Sequence, residues 1–233
     1  MGFGQRLRLQ KSEDVRVLKA QLELIADVVY ESRYTTPLWS AAIAVLGSNA
    51  LGVLGQRPLW MTIALAAVIS AVTLVSAQIV RAYQDHAAGD ISVEELHAWF
   101  PRFVMMQTAI SSAWGLMPWM LWTPHEGVNH IFIAGFVCAT LGALVVSRAS
   151  HMGMLLASVV PLAALGMLRF LFGATAFDFC VALVIPLFAL QLFSDGRRLT
   201  YWLDKDSRLR FEVEDLAREL EEARDEALKK RFE

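Results

Sequence analysis

The stretch that decides the fold is the last long segment of the chain, which carries the spacing of a coiled coil. Residues 199–230 read LTYWLDKDSRLRFEVEDLARELEEARDEALKK. Two seam positions alternate every three and four residues over four heptads, which turns one face of a helix toward a partner helix. The first position holds Leu199, Asp206, Val213, Leu220 and Ala227, and the second holds Trp202, Leu209, Leu216, Ala223 and Lys230. This pattern predicts a dimerising helix.

The charges beside the seam favour a parallel pair of helices. Glu219 would face Arg224 of the partner subunit, an opposite-charge contact that an antiparallel pair does not supply. Asp206 is a polar seam residue near the beginning of the helix, so this half of the pair is expected to be the weaker one. The alternative is a single solvated charged helix, since Asp206 and Lys230 do not favour a seam.

A glycine before the seam is predicted to form a joint for signal transfer. Gly196 costs about 1 kcal/mol relative to alanine inside a helix, and no proline separates it from the seam. We therefore expect one helix to run from the last apolar run through Gly196. Gly196 and Asp206 would mark the segment that repacks during signalling.

The composition is that of a membrane protein. Of 233 residues, 56% are hydrophobic and 19% are charged, and the mean hydropathy is +0.45. A water-soluble fold with this composition could not cover its apolar surface. The net charge of −2 averages a basic N-terminus and an acidic tail, so it argues neither for nor against nucleic acid. No nucleic-acid partner is predicted.

Six apolar runs are each long enough to cross a hydrocarbon core of about 30 Å as a helix. They lie near 35–54, 58–80, 100–122, 128–146, 152–172 and 176–193. The distribution of basic residues places both termini and the connections 81–99 and 147–151 in the cytoplasm.

The sequence thus predicts an all-α membrane protein with six transmembrane helices. Residues 1–34 would form a cytoplasmic amphipathic helix, and residues 35–195 a six-helix transmembrane sensory domain. Residues 196–233 would form a cytoplasmic coiled-coil helix that dimerises and carries the signal.

Two local patterns predict helices outside the apolar runs. Ser12 can cap a helix that either lies on the membrane surface or packs on another helix. Its apolar residues recur at 3–4 spacing and are Val15, Leu18, Leu22, Ile25 and Val29. Pro37 is expected to open the first span. Ser92 and Glu95 form a capping-box pattern that predicts a short helix ending at Pro101.

The third apolar run mixes polar, small and tryptophan residues. A kink at Pro118 could open a pocket for a small apolar ligand. The candidate residues are Gln107, Ser111, Trp114, Pro118 and Trp119. The favoured alternative is that the hydroxyl groups pack helices together and the tryptophans form an aromatic belt.

No pattern of catalysis or cofactor binding is present in the sequence. His125 and His130 are five residues apart, whereas a helical zinc site needs a spacing of four. These histidines are therefore interpreted as part of an external turn, and no metal is predicted. Cys138 and Cys180 lie in apolar runs and are predicted to be buried packing residues.

The whole pattern resembles a known class of membrane region. Six apolar runs are followed by Gly196-Arg-Arg-Leu and by acidic heptads from Leu209 to Ala227. This order resembles the N-terminal membrane sensory region of bacterial sensor histidine kinases, including hybrid kinases, and of some diguanylate cyclases. The resemblance implies a homodimer in the bacterial inner membrane, surrounded by lipid, that relays a membrane or external stimulus to a cytoplasmic output domain.

No kinase or cyclase motif occurs before Glu233, so the activity of those families is assigned to no residue here. We expect either a sensory region cut at its linker or a free-standing membrane module. A small membrane transporter with an oligomerisation tail and a structural membrane scaffold are the other classes of function. The centres of the apolar runs lack Asp, Glu and Lys, which an ion pathway would use, so transport is disfavoured.

Overall fold

The computed structural model describes residues 15–52, 54–89, 91–173 and 175–232, which form seven α-helices and no β-strand. The helices are α1 (Val15–Leu46), α2 (Leu59–Ala87), α3 (Val93–Gly115), α4 (Met117–Leu121), α5 (Gly127–Arg148), α6 (Met152–Leu171) and α7 (Ala176–Phe232). The predicted all-α class is confirmed for these ranges. The predicted cap at Ser12 lies outside the described residues.

Four of the described helices, α2, α5, α6 and α7, are long and apolar enough to cross a membrane. By length and composition, these helices are those of a membrane protein. α1 falls short because only its C-terminal half is apolar and the helix ends at Leu46. α3 falls short because Pro101, Arg102 and Gln107 interrupt its apolar residues.

α1 joins the predicted amphipathic helix and the first apolar run in one continuous helix. Pro37, where the first apolar run was predicted to open, lies inside α1, which runs through this residue. Proline removes one hydrogen bond from a helix interior, and α1 continues through Pro37 without that bond. Leu18, Leu22, Ile25 and Val29 are at most 6% exposed and pack on α2 and α3. The amphipathic segment therefore packs on the chain's own helices.

The capping box at the start of α3 is confirmed. Ser92 Oγ accepts a hydrogen bond from the backbone of Glu95, and Glu95 Oε2 accepts one from the backbone of Ser92 at 2.9 Å. The prediction that this helix ends at Pro101 is wrong, since α3 continues to Gly115. Phe103, two residues beyond the proline, is fully buried, and its packing stabilises the helix on that side.

The helix is interrupted near Pro118, where the sequence predicts a kink. α3 ends at Gly115, and the short helix α4 begins at Met117 with Pro118 in its first turn. Proline fits there because the first turn of a helix leaves its N–H groups without helical partners.

α7 is a single helix of 57 residues, which corresponds to a length of about 86 Å. It crosses the bundle and continues beyond it, so the predicted continuity through Gly196 is confirmed. The predicted domain boundaries after residues 34 and 195 fall inside α1 and α7, where the backbone has no break.

The bundle has two ends, which we name by the course of α7. The tail end is the end from which α7 continues, and it holds the connections 88–92 and 149–151. The opposite end holds the connections 47–58, 122–126 and 172–175. Gln56 Nε2 donates to Glu126 Oε1 at 3.0 Å across the opposite end, so the connections 47–58 and 122–126 meet there. Leu141, Leu162 and Ile185 lie in the apolar core between the ends.

Candidate functional site

Two clusters of buried polar side chains lie at the two ends of the bundle, and α7 contributes to both. A buried polar group costs free energy unless it finds a partner inside the protein. Such groups therefore mark places where apolar packing alone does not explain the sequence. The opposite-end cluster consists of Thr123, Asn129, His130 and Asp178, and the tail-end cluster consists of Gln107, Arg148, Ser158 and Thr200.

An ion pair between α5 and α7 is the centre of the opposite-end cluster. His130 Nδ1 lies 2.7 Å from Asp178 Oδ1, and the two side chains are 3% and 0% exposed. Oδ1 has no well-aligned hydrogen-bond partner among the described residues, so the two groups are in close contact without a directed hydrogen bond. The other ring nitrogen, Nε2, lies 3.0 Å from the carbonyl oxygen of Thr123. Each ring nitrogen of His130 thus lies within 3.0 Å of an oxygen atom.

The first turn of α7 holds Asp178 in place. Asp178 N donates to Thr175 Oγ1 and Thr175 N donates to Asp178 Oδ2, each at 3.1 Å, which forms a capping box. Gly173 is required beside this turn, because a Cβ atom there would lie 2.4 Å from Cβ of Asp178. The spacing of Thr175 and Asp178 is a sequence signal that could have located this carboxylate.

Asn129 ties together three segments at the same end. Its Nδ2 donates to the carbonyl oxygens of Leu54 and Leu121 at 2.6 and 3.1 Å, and its Oδ1 accepts from Thr123 N at 2.8 Å. The interpretation of this region as an external turn is therefore wrong for Asn129 and His130, which are buried. These hydrogen bonds attach the first turn of α5 to the segments that contain Leu54, Leu121 and Thr123.

A cavity of about 240 Å³ lies beside the ion pair. It is lined by His125, Gly127, His130, Ile131, Thr175 and Phe177. The ring of Trp122 stacks on His130 with centroids 3.9 Å apart, and the Arg169 guanidinium lies 4.0 Å from the same indole ring. Because His130 lines the cavity, a molecule bound there would contact the histidine that pairs with Asp178 of α7.

A buried arginine is the centre of the tail-end cluster. Arg148 is 5% exposed, although the sequence assigns it to a cytoplasmic connection. Its Nε donates to Gln107 Oε1 at 3.1 Å, and Ser158 Oγ lies 3.5 Å from the same oxygen. No carboxylate of the described residues forms an ion pair with Arg148, and Gln107 Nε2 has no hydrogen-bond partner among them. An ionisable side chain buried among apolar helices is a candidate functional position.

The connection that follows Arg148 contacts α7 directly. Thr200 Oγ1 donates to the carbonyl oxygen of Ala149 and also lies 2.9 Å from that of Gly196. One turn earlier, a Cβ atom on Gly196 would lie 2.6 Å from Leu155 Cδ2 and 3.2 Å from Val145 Cγ1. Gly196 therefore permits close packing of α7 on α5 and α6, in addition to the role as a joint that the sequence suggests.

His151 is the last residue of the same connection, and its side chain caps the first turn of α6. Its Nδ1 accepts a hydrogen bond from Gly153 N at 3.0 Å, and its ring lies 4.7 Å from that of Phe100. Burial lowers the pKa of His151 to about 4, because the charged ring would lose its hydration. At neutral pH the uncharged ring keeps a lone pair for the cap.

The five residues predicted to line an apolar pocket contact neighbouring helices in the structure. Ser111 Oγ donates to the carbonyl oxygen of Ser158, and Trp119 Nε1 donates to that of Leu165 at 3.0 Å. Gln107 belongs to the tail-end cluster, Pro118 is buried, and Trp114 packs against the core. These contacts are those of the helix-packing alternative, and the ligand site stays a prediction.

The predicted seam residues of α7 are exposed in the single chain. Trp202, Leu209, Val213, Leu216 and Leu220 are between 49% and 71% exposed. The other predicted interface or joint residues of the tail, Asp206, Glu219, Ala223 and Arg224, are exposed as well. A row of exposed apolar side chains on one helix face is available to a partner.

Two further features bear on the chemistry of the chain. Cys180 is exposed and Cys138 is half-buried, so the prediction that both are buried is wrong. Within 15–52, 54–89, 91–173 and 175–232, no three His, Cys, Asp or Glu side chains come together in a way that could hold a metal ion.

The fold and these clusters define a class, an all-helical membrane protein with buried ionisable groups at both ends of its bundle. No protein-family model, characterised protein or solved structure matches the sequence.

Proposed function

We propose that the chain is the membrane sensory and dimerisation module of a signal-transduction protein. Its six crossing segments would lie in a bacterial inner membrane with both termini in the cytoplasm. The observation that carries this proposal is the course of α7. One unbroken helix begins at the His130–Asp178 pair, passes the tail-end cluster at Thr200 and continues into the exposed apolar seam.

The two clusters contact α7 at Asp178 and at Thr200. These residues are 22 positions apart, which corresponds to about 33 Å along a helix. A change at the opposite end would therefore shift or tilt the helix as a rigid rod. Both side chains of the His130–Asp178 pair are buried, so a change at this pair would act directly on the position of α7.

Six crossing segments require that α1 and α3 also enter the membrane. Tyr34, Leu38 and Trp39 of α1 are at least 65% exposed, which suits contact with lipid better than contact with water. The connection beyond Leu46 would complete the first crossing within the protein. The helices α3 and α4 would together form the third crossing, broken at Leu116.

The relay would end in a dimeric output domain. The exposed seam from Val213 to Leu220 would hold two copies together, while the segment around Asp206 repacks. A histidine kinase is the favoured output, because acidic heptads of this kind precede its phospho-accepting helix in the proteins that the sequence resembles. A diguanylate cyclase is the alternative output.

A fusion of residues 1–233 to the cytoplasmic domain of a reporter histidine kinase tests this relay. Asp178→Asn removes the charge that faces His130 and should change autophosphorylation in membranes. In an Asp206→Leu background the same substitution should have no effect, because a leucine in the seam keeps the first heptads packed. Asp225→Leu removes an acid from an outward heptad position and is the matched control, which should leave the response intact.

Size-exclusion profiles of each fusion identify the variants that remain assembled, and only those are compared. The relay model is wrong if Asp206→Leu has the activity of the parent fusion and still responds to Asp178→Asn.

A carrier for small anions is the second candidate function, and one observation favours it. The Arg148 guanidinium is buried beside Gln107 without a carboxylate partner among the described residues, and a transported anion could neutralise it. An anion carrier would lose uptake into proteoliposomes in Arg148→Gln. A sensory module would show no uptake in either form.

A further inference from the structure

A groove of about 600 Å³ lies between α2 and α3 on the outside of the bundle. Its walls are apolar side chains, represented by Val75 and Ile79 of α2 and Met105 of α3. Ser76 also lines the groove, but its hydroxyl donates to the carbonyl oxygen of Val72 in its own helix at 2.7 Å. The walls therefore offer almost no hydrogen bonds to an occupant, and an alkyl chain fits their chemistry.

The length of the groove matches one leaflet of a bilayer. Along α2 it runs from Ala71 to Ala82, and along α3 from Ala109 to Trp99. These segments of 11 and 10 residue steps correspond to about 16 and 15 Å of helix. That is half of a hydrocarbon core of about 30 Å. With α2 and α3 in a membrane, the groove would extend from the tail-end surface to the middle of the bilayer.

The only charged side chain lining the groove stands at its tail end. Arg102 is exposed, and its guanidinium carbon lies 4.6 Å from the ring centroid of Trp99. No described carboxylate forms an ion pair with Arg102. An indole ring and a guanidinium at the surface end of an apolar groove lie where lipid headgroups begin, and a guanidinium binds phosphate with two hydrogen bonds.

We propose that this groove binds one anionic phospholipid from the tail-end leaflet. An acyl chain lies between α2 and α3, and the phosphate is bound by Arg102 beside Trp99. Charge complementarity selects an anionic headgroup, because Arg102 is the charge at the groove mouth. The site is independent of the signalling role and needs only that α2 and α3 lie in the membrane.

Photocrosslinking in nanodiscs tests the proposal on the full chain. Two lipids with the same diazirine-bearing acyl chain are used, phosphatidylglycerol and phosphatidylcholine, and labelled peptides are mapped by mass spectrometry. Phosphatidylglycerol should label 71–82 and 99–109 roughly fivefold more than phosphatidylcholine, the ratio expected for one basic residue at an anionic membrane surface. Equal labelling by the two lipids, or labelling spread evenly over all apolar helices, would overturn the proposal.

Two pairs of variants separate the headgroup contact from the acyl-chain contact. Arg102→Gln should make the two lipids label equally, whereas Arg81→Gln, at an exposed arginine outside the groove, should keep the preference. Ala109→Phe should fill the groove and remove labelling by both lipids, whereas Ala139→Phe, on the exposed face of α5, should not.

A preference that survives Arg102→Gln, or groove labelling that survives Ala109→Phe, contradicts the proposed binding mode. Crosslinks from the groove to a second copy of the chain in place of lipid would also overturn it.

Discussion

Adding a single methyl group at Gly196 distinguishes two roles of this residue in α7, a flexible joint and a site of close packing. The sequence suggests that alanine would stiffen the helix by about 1 kcal/mol. The structure places Leu155 Cδ2 2.6 Å from the added Cβ atom, and Leu155 is fully buried. Overpacking of a core costs about 1–3 kcal/mol, so we expect Gly196→Ala to lower the melting temperature in detergent.

Gly135→Ala is the matched control, because its Cβ atom meets no atom within 4 Å inside α5. It should leave the melting temperature unchanged or raise it. Shortening the neighbour in the double variant Gly196→Ala, Leu155→Val should restore part of the stability lost in Gly196→Ala. A stabilising effect of Gly196→Ala alone would leave the flexible-joint hypothesis as the better account.

His151 gives the stability of the bundle a dependence on pH. The folded protein lowers the pKa of His151 to about 4 from an unfolded value of about 6.5. The unfolded chain therefore binds more protons between these values, so stability is fully present above pH 6.5 and is lost as pH falls toward 4. The linkage corresponds to at most about 3 kcal/mol.

His151→Asn should flatten this dependence, because asparagine can cap α6 without titrating. His125→Asn is the control, since His125 is exposed and its positive φ suits asparagine. Thermal melts of the purified variants between pH 6.5 and 4 provide the measurement. An equal slope in the parent protein and in His151→Asn would contradict this role.

Some of these residues could be recognised in the sequence and others could not. Ser92 and Glu95 form a local pattern three residues apart, so their cap was predictable. His130 and Asp178 lie 48 positions apart in the sequence, and only the folded bundle brings them together. The burial of Arg148 was missed for the same reason, because local composition assigns a basic residue at the end of an apolar run to the cytoplasm.

The tail of α7 is the element on which the dimer prediction depends. Single cysteines at Val213 or Leu220 should crosslink to their equivalents in membranes, because both lie on the apolar seam. Arg218→Cys on the outward face is the control. Crosslinking of all three cysteines at one rate would indicate a solvated single helix.

The helices themselves were largely predictable, and their ends were predictable where a local signal exists. The apolar runs near 128–146 and 152–172 agree closely with α5 and α6. The helix end assigned to Pro101 is wrong, and Leu96 and Phe103 on either side of this proline are fully buried. Such cases depend on tertiary contacts, which a local sequence pattern does not predict.

At the scale of the whole molecule, the two ends of the bundle should face opposite sides of the membrane. Asp85 is exposed at the tail end and Glu126 is exposed at the opposite end. Cysteines at these positions should react with a membrane-impermeant maleimide from opposite sides, with Asp85→Cys labelled only after the membrane is opened.

Labelling of both cysteines from outside intact cells would be incompatible with this arrangement of the helices. The composition predicted a membrane protein, and four helices meet the requirement of length and hydropathy. The predicted count of six stays a prediction, because it requires α1 and α3 to cross as well.

The straight course of α7 also has an electrical consequence. The 32 residues from 201 to 232 correspond to about 48 Å of helix beyond the tail end. The potential of anionic lipids decays over a Debye length of about 8 Å at physiological ionic strength. A domain carried at the far end of this rod would stand several Debye lengths from the bilayer. Its own charges could then change, for example on phosphorylation, without attraction to or repulsion from the membrane surface.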